Sequence, residues 1–598
     1  MRAVLLSTAV ALLLAPAVPL HAQDEAVAAR PLVVELTING SVGEEPTPPQ
    51  PFGPQRRNFR AKLERLRELS RDPAVAAVEL KLKGSPDHAR SLDLLVELAA
   101  LKARGKKVVC YTEVLTRSDL VFAGLADLLV VPPTGMIVLE GYAAEVFYMK
   151  DLLAKFDARA EVLHIGDFKT AYENFAKDAM SAGQREVLEQ VLQEFSDQTL
   201  GLIAQHRGMS TEAVEAMLAG MLVEPEQAAK AGLIDAALYE DDYNAHVAKL
   251  LGAEFERDES YGEQSLEELE KMLNNPFAAM TMLAEALNPP KQKKPSEPYV
   301  AVVYASGAIQ SGKSKADFAG NVASMGSETI VEALRATESD EHCKAVVLRV
   351  NSPGGSALAS DMIYRAVQQV QAAGKPVVAS MGSLAASGGY WISMGADVIV
   401  AQPSTLTGSI GVVSMVPDLH ETLAAAGVKV ETVSVGPQGD QLSITKYGVS
   451  PLLRDVLTRS MESTYDRFLL GVSKGRKLPV ERVRELAGGR VWTGRQAEAN
   501  GLVDELGGFQ DALDLAAVLA GLEPDKAPLV EYPQAPSFFE QIEEAMGDMV
   551  TVRTPLEELA DSLGFGAQLA HLRALMSEPR ALHPDRVQAL LPFHMVVR

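Results

Sequence analysis

Two hydrophobic periods take turns along the chain. Short runs rich in valine and isoleucine have strand length: LVVELTI at 32–38, VVLRV at 346–350 and PVVAS at 376–380. Between the last two, residues 357–373 set Leu358, Met362, Ile363, Ala366, Val367 and Val370 at helical spacing. Strand, helix and strand in that order imply βαβ crossovers and a largely parallel sheet covered by helices. Later stretches, 181–204 and 451–472, read as long helices.

The same pattern occurs twice. LVVELTI with Gly40 resembles residues 299–304 with Gly307, and DPAVAAVELKL at 72–82 resembles DEHCKAVVLRV at 340–350. RGKKVV at 104–109 matches AGKPVV at 373–378, DLLVVPP at 127–133 matches DVIVAQP at 397–403, and GLID at 232–235 matches GLVD at 501–504. The later matches keep an offset of 269–270, so a tandem duplication is expected. The units span 30–252 and 299–530, joined by a linker over 253–298 and followed by an extension over 531–598. In the linker, Ser265 and Glu268 form a possible capping box, and 277–287 is apolar enough to cover its parent domain or touch a membrane surface. Residues 537–549 of the extension resemble an amphipathic helix.

Residues 1–22 read as an address. Arg2 precedes an apolar run over 3–20, broken by Pro16 and Pro19, and the small residue Ala22 follows. This is the pattern of a cleaved signal peptide, with an uncleaved anchor as the alternative. Either places the body of the chain outside the cytoplasm, and no second run reaches spanning length.

The 598 residues are 47% hydrophobic and 23% charged, enough for large cores. Lysine and arginine number 56 against 79 acidic residues, a net charge of −23 without a basic cluster, so no nucleic-acid partner is expected. Cys110 and Cys343 are too few for a disulfide framework or a cysteine metal cluster.

Candidate chemistry lies where the copies differ. After strand VVLRV the second unit has Asn351-Ser-Pro-Gly354-Gly355-Ser356, where the first has Lys83-Gly-Ser-Pro. A glycine pair between strand and helix frees backbone N–H groups for an oxyanion, a phosphate or a thioester oxygen, or else serves a tight turn. Ser387, in Ala386-Ser-Gly-Gly389, is a candidate nucleophile, though its small neighbours suit close packing. Ser409 sits between Gly408 and Ile410-Gly411, a setting for a sharp turn that presents its hydroxyl. Its register partner is Leu139, which cannot attack anything.

A serine nucleophile needs a base. His342 and His420 lie in no triad-like segment. Lysine serves if its pKa falls about 3 units from about 10.4, roughly 4 kcal/mol, which burial can supply. Lys169 follows Phe168 in Gly166-Asp-Phe-Lys-Thr-Ala171, and its register partner is Gly439. Serine in one unit and lysine in the other suggest one site assembled from both; Lys177 and Lys446 are the runners-up.

These motifs together (the Lys169 segment, Asn351 to Gly355, Ala386 to Gly389, and Ser404-Thr-Leu-Thr-Gly-Ser409-Ile-Gly411) resemble the signal peptide peptidase A family of bacterial serine proteases, in its long form. The resemblance implies an α/β fold of tandem crotonase/ClpP-like domains with repeated ββα units and helical extensions. It implies Ser409 as nucleophile, Lys169 as general base, no metal and no organic cofactor. It also implies a homotetramer with inward-facing sites that cleaves remnant signal peptides and other hydrophobic peptides at the cytoplasmic membrane, from the periplasmic side. The oxyanion is then expected on backbone N–H groups of Gly354 or Gly355 with help near Ile410. A crotonase-like acyl-CoA enzyme and a catalytically inactive peptide-binding scaffold are the alternatives; an exported chain would not meet cytoplasmic CoA.

Overall fold

The computed structural model describes residues 30–40, 42–46, 58–259, 261, 280, 294–316, 322–436, 440–534 and 588–590. The expected signal peptide, the capping box at Ser265, Gly439 and the 537–549 helix lie outside the described residues, as does all of 277–287 except Met280.

Each half is built on a parallel sheet. In the first, the order is Glu256–Asp258, Leu32–Ile38, Val75–Leu82, Lys107–Tyr111, Leu128–Val131 and Ala236–Ala237. In the second, Leu529–Tyr532, Tyr299–Ser306, Cys343–Ser352 and Val377–Ala386 repeat that order, and Val398–Ala401 and Glu505–Leu506 complete it. Each sheet closes on a strand near the expected unit end, Glu256–Asp258 beside 252 and Leu529–Tyr532 at 530.

The unbroken apolar run of Tyr299–Ser306 follows from burial on both faces. Tyr299, Ala301, Val303 and Ala305 face one core, while Val300, Val302 and Tyr304 face another, capped by the Phe509–Leu519 helix. The helix expected over 357–373 runs Ala357–Ala372 and buries Ala359, Ile363, Ala366, Val367 and Val370. Leu358 and Met362 were expected on that face but are exposed, because each lies about 100° round the helix from a buried neighbour, Ala359 or Ile363. The long helices run Ala182–Arg207 and Pro451–Arg476. Among the described residues no helix is long and apolar enough to cross a membrane.

The duplication extends to single hydrogen bonds. The Val108 N–H donates to Asp127 Oδ2 (2.9 Å) as Val377 does to Asp397 (2.8 Å). Leu129 donates to Asp235 Oδ2 and Ile399 to Asp504 Oδ2, both at 2.7 Å.

Two features lock the halves together. Arg349, fully buried in the second sheet, donates to Glu44 of the first half (3.1 Å), lies 3.7 Å from Asp93 and stacks over Phe509. Burial pushes the Asp93 carboxyl up to about 6 despite that arginine. The second feature is a strand of the first half, Arg159–Ile165, which leaves its own sheet and pairs antiparallel with Val412–Asp418 of the second.

Candidate active site

That exchanged strand sets the site. Its register pairs Ile165 with Val412, the last pair at one end of the ladder. Lys169 comes four residues after Ile165 and Ser409 three residues before Val412, so both leave the ladder at the same end. Gly166 turns the first chain at φ +110°, with its Cα side pressed on the backbone of Gly488. Ser409 turns the second at φ +50°, a conformation few side-chain-bearing residues adopt. Its N–H donates to the carbonyl of Arg490 at 2.7 Å. In the first half Leu139 makes the same bond to Met221, also at 2.7 Å, so the leucine occupies the serine's place in the degenerate copy.

The lysine amine and the serine hydroxyl, 240 residues apart, lie 2.9 Å from each other within one chain. Lys169 is fully buried, and its Nζ also lies 2.8 Å from the Ser409 carbonyl and 2.6 Å from Ser387 Oγ. Burial holds the amine well below the usual lysine range. A neutral amine has two N–H donors and one lone pair. Three neighbours fit it: the Ser409 carbonyl only accepts, Ser387 Oγ accepts the second N–H, and the Ser409 O–H donates to the lone pair. A base hydrogen-bonded to a nucleophile and oriented by a third group requires contacts of this kind.

Ser387 holds φ +56° and ψ −111° at the start of the buried Gly388–Ser393 helix. Close packing was expected there and is present: a Cβ on Gly388 would come 3.1 Å from both Gly354 Cα and Gly355 N. The contact to Lys169 was not readable from the motif, because small residues signal packing but not which amine they pack against.

Gly354 and Gly355 lie in a short strand, Gly354–Ser356, rather than directly at a helix start. Both need glycine: φ is +99° and +155°, and a Cβ on Gly355 would sit 2.0 Å from the Ile309 carbonyl. The Gly354 N–H donates to Ser352 Oγ at 3.2 Å, and Gly355 pairs with Ile309 in the neighbouring strand. Ile410 is fully buried, and its carbonyl accepts from the Gly489 N–H at 2.9 Å.

The sequence reading missed Gly488-Gly489-Arg490. This segment receives the Phe168 and Ser409 N–H groups, and a Cβ on Gly489 would lie 2.4 Å from Lys169 N. The available signal was the glycine pair, present in the second unit and replaced by Ala219-Gly220 in the first. The runner-up lysines lie elsewhere. Lys177 pairs with Glu173 at 2.6 Å and Lys446 with Asp440 at 3.0 Å. His420 is held by Asp418 at 2.6 Å.

A cavity of about 870 Å³ opens between the halves beside these elements, lined by Val146, Phe147, Phe175, Phe195, Leu384 and Leu406 among others. Its walls suit apolar side chains.

The model of peptidase family S49 matches twice, over residues 100–254 and 369–523, and that of Clp protease matches over 313–410. The chain is 33% identical to Protease 4 of Salmonella typhi over 543 residues, 87% of this chain and 83% of that protein. It is 33% identical to Protease 4 of Haemophilus influenzae, covering 72% of this chain and 67% of that one. It is 27% identical to a chloroplastic serine protease SPPA of Arabidopsis thaliana, covering 83% and 72%. With both halves matched and each built on the same ClpP/crotonase-like α/β plan, the chain belongs to peptidase family S49 as a serine peptidase.

Proposed function

We propose that the protein is an endopeptidase with a Ser409–Lys169 dyad that degrades remnant signal peptides and other apolar peptides outside the cytoplasm, at the cytoplasmic membrane. The observation that carries the reading is a fully buried lysine amine 2.9 Å from a serine hydroxyl held at positive φ. Neutral Lys169 takes the Ser409 proton as Oγ attacks a peptide carbonyl. Backbone N–H groups of Gly355 and Ile410, with Gly354 once its bond to Ser352 opens, hold the oxyanion; each such donor is worth roughly 3–4 kcal/mol. The lysine, now charged, protonates the leaving amine, and water hydrolyses the acyl-enzyme by the same route.

The apolar cavity supports apolar substrates. The apolar run over 3–20 supports export. Phe147, Phe156, Val433 and Val435 are exposed, which favours their burial in an assembly, and we assign a homotetramer. The peptidase family disfavours the acyl-CoA alternative, and the built dyad disfavours an inactive scaffold.

A fluorophosphonate probe with mass-spectrometric mapping tests the reading. Ser409 should carry the label, and Ser409→Ala should lose both labelling and peptide hydrolysis. Labelling of Ser409→Ala at the wild-type rate would refute the assignment.

A further inference from the structure

The exchanged strand belongs to a seven-stranded sheet with an unexpected member. Its order is Lys315–Ala316, Val322–Gly326, Ala308–Gln310, Gly354–Ser356, Gln588–Leu590, Val412–Asp418 and Arg159–Ile165. The strand Gln588–Leu590 lies 170 residues beyond Asp418 in sequence. It fills the slot between the glycine strand and the strand that follows Ser409.

It is antiparallel to both neighbours. Gly354 pairs with Leu590, Gly355 with Ala589 and Ser356 with Gln588; Val413 also pairs with Gln588. Running from Gln588 to Leu590 therefore means running from Val413 back toward Ser409. A peptide that is to acylate Ser409 needs this placement. Its backbone pairs with the strand edges on either side, and its chain runs toward the nucleophile with the glycine N–H groups alongside. Strand addition of this kind takes its affinity from main-chain hydrogen bonds and tolerates many sequences. Without Gln588–Leu590 the sheet falls into a four-stranded and a two-stranded piece whose facing edges both carry unpaired backbone groups.

We infer that the chain's own C-terminal segment, through Gln588–Leu590, occupies the strand position of a substrate peptide, so that substrates compete with it for the slot between Gly354–Ser356 and Val412–Asp418. The inference rests on the Ser409 endopeptidase reading for what the slot is used for, but the occupancy itself does not. A tethered competitor at an effective concentration of about 1 mM, with an intrinsic Kd near 0.1 mM, raises the apparent KM about 10-fold.

Three chains test it: full length, a chain ending at Val587, and full-length Ala589→Pro, which removes one strand N–H without shortening the protein. On a quenched apolar peptide the last two should show KM lower by about 10-fold with kcat unchanged, and faster fluorophosphonate labelling of Ser409. Separately, a fluorescent peptide covering 584–594 is titrated by anisotropy into Ser409→Ala chains with and without residues 588–598. It should bind the truncated chain about 10-fold more tightly. Equal KM and labelling in all three chains, a fall in kcat/KM on truncation as expected of a purely structural strand, or equal peptide binding with and without the tail would overturn the inference. Absence of labelling and hydrolysis in every chain would instead defeat the endopeptidase reading, while the anisotropy comparison would still decide the occupancy.

Discussion

Replacing Ser387 by alanine separates the orienting role its contact with Lys169 suggests from the nucleophilic role proposed for Ser409. Lys169 Nζ meets three oxygens within 2.9 Å, and the Ser387 hydroxyl is the nearest, at 2.6 Å. The hydroxyl is fully buried, so no solvent molecule from bulk takes its place without cost. Losing one such bond costs about 1–3 kcal/mol, depending on how much charge the amine carries, which is about 5- to 150-fold in kcat/KM. The pH profile should also move. An acceptor beside the amine stabilises its charged form and holds the pKa up; burial already pushes that pKa down. Removing the acceptor lowers it further, so the rise of kcat/KM with pH should begin at lower pH while the plateau falls. The assay is kcat/KM across the titration together with the rate of fluorophosphonate labelling. Ser387→Gly is the control, since it removes the same hydroxyl and relieves the φ of +56°, worth about 1–2 kcal/mol. It should lose a similar rate yet melt higher. The reasoning fails if Ser387→Ala abolishes labelling outright, which would make Ser387 the attacked residue. It also fails if rate and pH limb are both unchanged.

Three further outcomes are expected. Lys169→Met should end hydrolysis but raise the melting temperature at neutral pH: with a lysine pKa lowered by burial, the unfolded chain binds more protons, so wild-type stability rises with pH up to about 10.4, and that slope should vanish in the variant. A melting temperature that falls with the slope intact would contradict this. Gly489→Ala forces a Cβ to 2.4–2.5 Å of the Lys169 backbone at φ +83°, so it should cost at least about 2 kcal/mol and slow Ser409 labelling; a fully active, equally stable variant would be evidence against the close approach. Arg349→Met leaves Glu44 and Asp93 buried without their countercharge and should cost about 3–5 kcal/mol in urea denaturation, whereas a loss under 1 kcal/mol would mean the two halves are not held by this group.

Much of this architecture is legible in the chain alone, because its determinants are local. The alternation of β-branched runs with helical stretches implies parallel sheets, and the offset of 269–270 exposes the duplication. Comparing the copies, Leu139 against Ser409 for instance, singles out the residues one half keeps and the other has lost. Fully buried strands such as Tyr299–Ser306 read as unbroken apolar runs for the simple reason that both faces are covered. What local pattern does not carry is which strands leave their own half. Pairing Ile165 with Val412 depends on backbone hydrogen bonds, which have no side-chain signature, yet that register alone brings Lys169 to Ser409. The same holds for Gln588–Leu590, whose neighbours lie more than 170 residues away in sequence. Ser387 and Gly489 announce only that something packs closely, since a small residue records the space it leaves and not the group that fills it. The exposed Leu358 and Met362 show the converse: helical spacing marks apolar positions, but the neighbouring elements decide how wide a face they cover.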